Sequence, residues 1–144
     1  MTATITLKPG AGQAESLDHT ELLKSIYVKW AKRHCLSHSV TRENDGEGIV
    51  LTFQAFGVEE TLRSLKNEAG IHRLARISPH DPKQRRHTTF VTAVVKIGEE
   101  MFTYDKPVRT IVLCPHTMAK NFRNNKKITY VPAILDGYIE LLHD

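Results

Sequence analysis

Nowhere in the 144 residues does an apolar run approach the roughly 20 residues that cross a bilayer, and the opening MTATITLKPG lacks the basic-then-apolar plan of a secretory leader. No membrane partner is expected, and the chain is expected to work in the cytoplasm. Cysteine is scarce. Cys35 and Cys114 form no CxxC pair, so no disulfide framework is implied. His34, Cys35 and His38 lie close in sequence but have no further ligands at suitable spacing, so no metal and no other cofactor is expected. Ser-His-Asp order, paired-carboxylate patterns, Walker loops and dinucleotide fingerprints are all absent, and Cys114-Pro115-His116 has no base partner in sight. The chain is therefore not expected to be an enzyme or to take a small-molecule substrate.

Net charge is also missing, except in one place. The stretch 69–90, AGIHRLARISPHDPKQRRHTTF, carries Arg73, Arg76, Lys83, Arg85 and Arg86 against the single acid Asp81, which equals the formal +4 of the whole chain. Within it lie Ser78-Pro79-His80, a turn ending at Pro82, and Arg85-Arg86-His87-Thr88-Thr89. Cations beside short hydroxyls and stackable rings suit single-stranded RNA: phosphates reward charge, splayed bases stack on rings, and base edges need small polar readers.

The length bounds one domain with one substantial core. Alternation predicts a strand over 3–8, closed by the turn Pro9-Gly10-Ala11-Gly12. Helical spacing of Leu17, Leu22, Leu23, Ile26, Tyr27, Trp30 and Ala31 predicts an amphipathic helix over 15–33, with Trp30 as a core anchor. Strands follow over 36–41 and 49–56, flanking a polar turn at 43–48. A short helix over 58–67 should turn Leu62 and Leu65 inward. Leu74 and Ile77 should pack on the body, and residues 89–97 alternate as a strand. Because Pro79 and Pro82 forbid a helix and deny ladder hydrogen bonds, the polar residues between these anchors should form an extended surface loop. Residues 108–113 should join a mixed sheet, and a last helix should run from Pro132 to Leu142. The fold class is α/β (α+β), a single compact sandwich of a mixed β-sheet with packed helices.

The basic stretch resembles the codon-reading segment of the bacterial class-I peptide chain release factor that responds to UGA and UAA, with a pattern close to G-[VI]-H-R-L-x-R-x-S-P-F-D-x-x-x-R-R-H-T-S-F. Gly70, His72, Arg73, Leu74, Arg76, Ser78, Pro79, Asp81, Arg85, Arg86, His87, Thr88 and Phe90 match it in place. His80 stands where the family has Phe, and Thr89 where it has Ser. Weaker matches are Gly10 to Glu15 with the G-x-G-G-x-E-A loop and Tyr27-Val28-Lys29-Trp30-Ala31 with Y-[LV]-R-W-A. Val108 to Leu113 matches I-R-S-Y-V-L, and Ala133 to Gly137 matches A-V-L-D-G.

This resemblance implies a role for each residue. Ser78 would meet the second base as donor and acceptor, His80 would replace the ring beside it, His87 would stack between the second and third bases, and Thr88 would bond the third. Pro79 would belong to the same codon-contacting set. Arg85 and Arg86 would hold phosphate or ribosomal RNA, and Arg73, Arg76 and Lys83 the RNA backbone. Gly46 and Glu47 stand as the remnant of a segment that approaches the first base, with a plain hairpin turn as the other reading. In the family the strand after H-T-S-F leads into an inserted domain bearing Gly-Gly-Gln, which promotes hydrolysis of peptidyl-tRNA. Here Ile97 is followed only by GEEMFTYDKP before the family pattern resumes.

The expected organisation is one codon-recognition domain over 1–144. Its main part spans 1–97 with the reading loop at 69–90, a link over 98–107 replaces the catalytic domain, and a complement covers 108–144; the family's N-terminal helical domain is expected to be missing. The expected function is a non-hydrolytic, release-factor-like protein that binds the small-subunit decoding site or stop-codon-containing mRNA and modulates translation termination. The alternatives are a ribosome-independent protein that binds and stabilises single-stranded mRNA, or the reading half of a split factor whose partner supplies Gly-Gly-Gln.

Overall fold

In the computed structural model, residues 1–11, 14–43, 48–55 and 59–143 are described. The N-terminal segment β1 (Thr2–Pro9) leads to helix α1 (Ala14–Arg33), then to the hairpin of β2 (Ser37–Arg42) and β3 (Ile49–Gln54). Helix α2 (Glu59–Arg63) tightens into a 3-10 turn (Ser64–Glu68) before β4 (Gly70–Ile77) and the long β5 (Arg86–Ile97). Strands β6 (Glu100–Phe102), β7 (Pro107–Val112), β8 (Met118–Asn121) and β9 (Lys127–Ile128) follow, then α3 (Val131–Leu135) and a 3-10 turn (Ile139–Leu142).

The strands form one mixed sheet in the order β2-β3-β1-β5-β4-β7-β8-β9, with β6 paired to β5. Only β4 and β7 run parallel among the described pairings. Because side chains alternate across a strand, Ile5, Leu51, Val91, Ala93, Leu74 and Ile111 all turn to one face, where α1 and the shorter helices cover them. Trp30 is 1% exposed and meets Phe53 edge-on at 5.5 Å, as a core anchor should. Among the described residues, the opposite face of the sheet carries no helix and is set with Thr, Lys, Arg and Phe90.

Four expectations need correction. Leu17 is exposed, and His19 and Thr20 are buried in its place. The buried face of α1 keeps Leu23, Ile26, Tyr27, Trp30 and Ala31 as expected, but in the first two turns it runs through Ser16, His19 and Thr20 rather than Leu17. The hydroxyl of Thr20 avoids an unmet bond by donating to the Ser16 carbonyl at 2.8 Å. Ile77 is also exposed, since it is an odd-numbered residue of β4 and turns to the open face. The reading loop is shorter than expected: only residues 78–85 leave the sheet, while Arg86, His87 and Thr88 pair with Ile77, Arg76 and Ala75 as the first residues of β5.

The C-terminal helix ends after Leu135 rather than reaching Leu142. Gly137 takes φ +93° and its N–H bonds the Ile134 carbonyl at 3.0 Å, a left-handed helix stop. A Cβ there would sit 2.5 Å from the Trp30 backbone nitrogen, so the stop is also a close docking point on α1.

Under this sheet lies a buried ionic knot. Glu68 is fully buried and accepts from Arg109 at 2.5 and 2.7 Å, from Tyr27 at 2.8 Å and, through its second oxygen, from His143 at 2.6 Å. Burial works against its charge, but Arg109 and His143 outweigh it and hold the carboxyl well below the usual range. The knot ties α1, the turn before β4, β7 and the end of the chain to one point.

Candidate nucleic-acid interface

The β4–β5 hairpin projects beyond the first turn of α1, and the contact between them builds the site. Pro79 and Pro82 keep residues 78–85 out of the ladder, and Gln84 closes the loop at φ +53°. Within the loop the Ser78 N–H donates to the Arg85 carbonyl at 3.1 Å and the Gln84 N–H to the Asp81 carbonyl at 2.9 Å. Asp81 organises the tip from the side-chain direction. Its carboxylate accepts from the Lys83 N–H, the Arg85 Nε and the His87 Nε2, each at 2.8 Å. The His87 ring, then Arg85 and the Lys83 N–H, hold this carboxyl well below the ordinary aspartate value.

Two acids from α1 reach the same hairpin. Glu15 accepts from Arg76 at 2.9 and 3.2 Å and from the Ser78 hydroxyl at 2.8 Å, while Asp18 accepts from Arg76 at 3.1 Å and contacts His80 Nε2 at 2.7 Å. Burial opposes the charge of Glu15, but Arg76 and Ser78 prevail and lower its pKa; His80, followed by Arg76, lowers that of Asp18. Glu15, Asp18 and His80 each bring one potential ligand atom within 4.8 Å of the others, a group that could hold a metal ion. Arg76 already lies on both carboxylates, which places a cation where a metal would otherwise sit.

The sequence-predicted residues therefore divide. Ser78, His80, Arg85 and His87 line one open groove of about 370 Å³ with Ala14, Glu15, Asp81 and Pro82. Ser78 is 2% exposed, its hydroxyl donating to Glu15 and accepting from the His80 N–H at 3.1 Å. Pro79 and Lys83 are exposed on the loop. Thr88 follows His87 in a strand, so it points to the opposite face of the sheet, where it is exposed. Arg86 shares that face and its Nε donates to the Cys114 carbonyl at 2.8 Å. Arg73 is also there, bonded to the Thr110 hydroxyl at 3.1 Å.

Gly46 and Glu47 lie outside the described residues. Strands β3, β1 and β5 separate β2 from β4 in the sheet. Among the described residues, the first turn of α1 adjoins this loop. Sequence reasoning missed Ala14, Glu15 and Asp18; a glutamate at the start of a helix reads as ordinary dipole compensation. The available signal was that Glu15 is the acid of the Gly10 to Glu15 loop motif.

The PCRF domain family model matches residues 1–93. Peptide chain release factor 2 of Helicobacter acinonychis is 42% identical over 101 residues, which is 69% of this chain and 27% of that protein. The corresponding factor of Nitratiruptor sp. is 41% identical over 95 residues, 65% of this chain and 26% of that protein. The chain thus matches about a quarter of the length of these curated relatives. Among solved structures, RF2 of Thermus thermophilus superposes with a TM-score of 0.80 at 17% identity, covering 98% of this chain and 66% of that one, which shows the same α+β fold. With the PCRF model spanning all of β1 to mid-β5, this chain belongs to the peptide chain release factor family and carries a release-factor-like PCRF domain.

Proposed function

We propose that this protein is a non-hydrolytic reader of stop codons, which occupies the ribosomal decoding site and modulates translation termination without releasing the peptide. The observation that carries the reading is a pairing of presence and absence. The hairpin with its Ser78, His87 and Thr88 is complete, while β5 passes through only β6 and a few residues to β7, and no Gly-Gly pair occurs in the sequence. The small ribosomal subunit and the mRNA stop codon are its partners in this reading.

Ser78 meets the second base, for which its hydroxyl must exchange Glu15 for the base edge; a hydroxyl that both donates and accepts suits either purine. His87 supplies a stacking ring from the groove side, and Thr88 meets the third base from the other face of the hairpin. His80 replaces an apolar ring by one that can carry charge, which adds polarity beside the second base. Arg85, Arg86 and Lys83 meet RNA phosphate. Arg76, held by Glu15 and Asp18, acts through the shape of the loop.

The test is binding of labelled protein to ribosomes programmed with UGA, UAA, UAG or a sense codon, with peptide release followed in parallel. Selective binding to UGA and UAA, weakened at least tenfold in Thr88→Ala and Ser78→Ala and without release, is the expected result. Equal binding to sense and stop codons would sink it, and release on addition of a cellular extract would favour the split factor. Ribosome-independent mRNA binding is the second reading, and the charge distribution of the sheet supports it as follows.

A further inference from the structure

Of the five cations that make the stretch 69–90 look basic in sequence, Arg76 and Arg85 are neutralised in the fold. Arg76 is paired with Glu15 and Asp18, Arg85 with Asp81, and both His80 and His87 meet carboxylates. Arg73 of the same stretch lies instead on the open face of the sheet, where cations from other strands join it. Arg73 on β4 faces Thr110 on β7, which faces Lys120 on β8, which faces Lys127 on β9. On its other side Arg73 faces Phe90 of β5, 44% exposed. These five residues form a straight row across five adjacent strands, about 19 Å long at the usual strand spacing.

Beside this row lies an open groove of about 550 Å³ lined by Arg73, Tyr104, Lys106, Pro107 and Phe122, with no acid among them. Its rings are already set for cations and flat partners. The Arg123 guanidinium lies 4.2 Å from the Tyr104 ring centre and the Lys120 ammonium 5.7 Å from that of Phe122, which is 40% exposed. Among the described residues, none of Arg73, Lys106, Lys120 and Arg123 is in an ion pair.

We propose that this open sheet face, centred on Arg73, Tyr104, Lys106 and Phe122, is a second RNA-binding surface that takes single-stranded RNA without regard to codon. Its bases stack on Tyr104, Phe122 and Phe90, and its phosphates pair with the surrounding cations. Charge complementarity selects a polyanion, and the rings select one with flat faces over an acidic peptide. The surface does not depend on Ser78 or on the groove at α1, so it stands independently of stop-codon reading.

The experiment is fluorescence anisotropy with a labelled 12-nucleotide oligouridylate, which contains no stop triplet, titrated with the full chain over a range of salt. The Arg73→Gln/Lys106→Gln variant is expected to lower the slope of log affinity against log salt by about 1.4, because each single-strand phosphate contact contributes about 0.7. Tyr104→Ala/Phe122→Ala should weaken binding at least tenfold, and Tyr104→Phe should restore it when compared with Tyr104→Ala. Lys29→Gln/Lys32→Gln, which removes the same charge from the exposed side of α1, should leave the slope unchanged. Circular dichroism checks that each variant is folded. Equal effects of the two charge variants, undiminished binding without the rings, or equally tight binding of labelled oligoaspartate would each overturn the proposal.

Discussion

Ser78 shows how a side chain named by its motif can be committed elsewhere. Its hydroxyl is spent on Glu15 and the His80 N–H, so the β4–β5 hairpin is tied to the first turn of α1. Replacing Glu15 with Gln keeps an acceptor for Ser78 but removes a charge from a partly buried ion pair. Urea unfolding should show a loss of about 1–2 kcal/mol, moderated because Arg76 keeps Asp18. The Glu68 knot is less forgiving. Arg109→Met leaves a fully buried carboxylate with only Tyr27 and His143, and should destabilise the fold by about 3–5 kcal/mol in the same assay. Nothing in the local sequence distinguishes Glu68 or Arg109 from surface charges. Their pairing joins residues 41 apart, and only the sheet brings them together.

At the scale of elements, periodicity was informative where one face alone is buried. It placed β1, α1 and β3 within a residue or two at most of their termini, and β5 at its C-terminal end but three residues late at its start, because alternation and helical spacing record which side meets the core. It failed where polar atoms are buried with internal partners, as for His19 and Thr20, and where backbone geometry overrides composition. The broken C-terminal helix is of the second kind. Gly137→Ala adds a Cβ against the α1 backbone at a positive φ, and is expected to cost at least about 2 kcal/mol of stability by thermal or urea unfolding. The hairpin itself was legible as a motif but not as a shape. Its prolines announced the loop, yet that Thr88 and His87 point to opposite faces follows from β5 beginning at Arg86, which pairing with β4 decides.

For the molecule as a whole, acid should be the sensitive direction. Burial, with His72 nearby, pushes His19 down to about 3, and burial with Arg109 pushes His72 down to about 4. Both rings are neutral when folded, so below about pH 6.5 the unfolded chain binds more protons and stability falls with pH until these folded values are reached. Below about pH 4 the lowered carboxyls of Glu15 and Asp18 add to the loss. Urea midpoints measured from pH 7 to pH 4 should therefore decline steadily, and His19→Leu should flatten part of that slope; a flat wild-type profile would show that neither ring stays buried and neutral.

Family and fold class were present in residue order, because a linear motif and periodic burial are local properties. The distribution of charge was not. In sequence the basic stretch 69–90 carries the whole net charge, but in the folded chain α1 supplies Glu15 and Asp18 to that stretch, while strands distant in sequence gather Arg73, Lys106, Lys120 and Arg123 on the open sheet face. Ion pairing depends on separation in space, which strand order sets, and so only the tertiary structure decided which of these cations remain available to RNA.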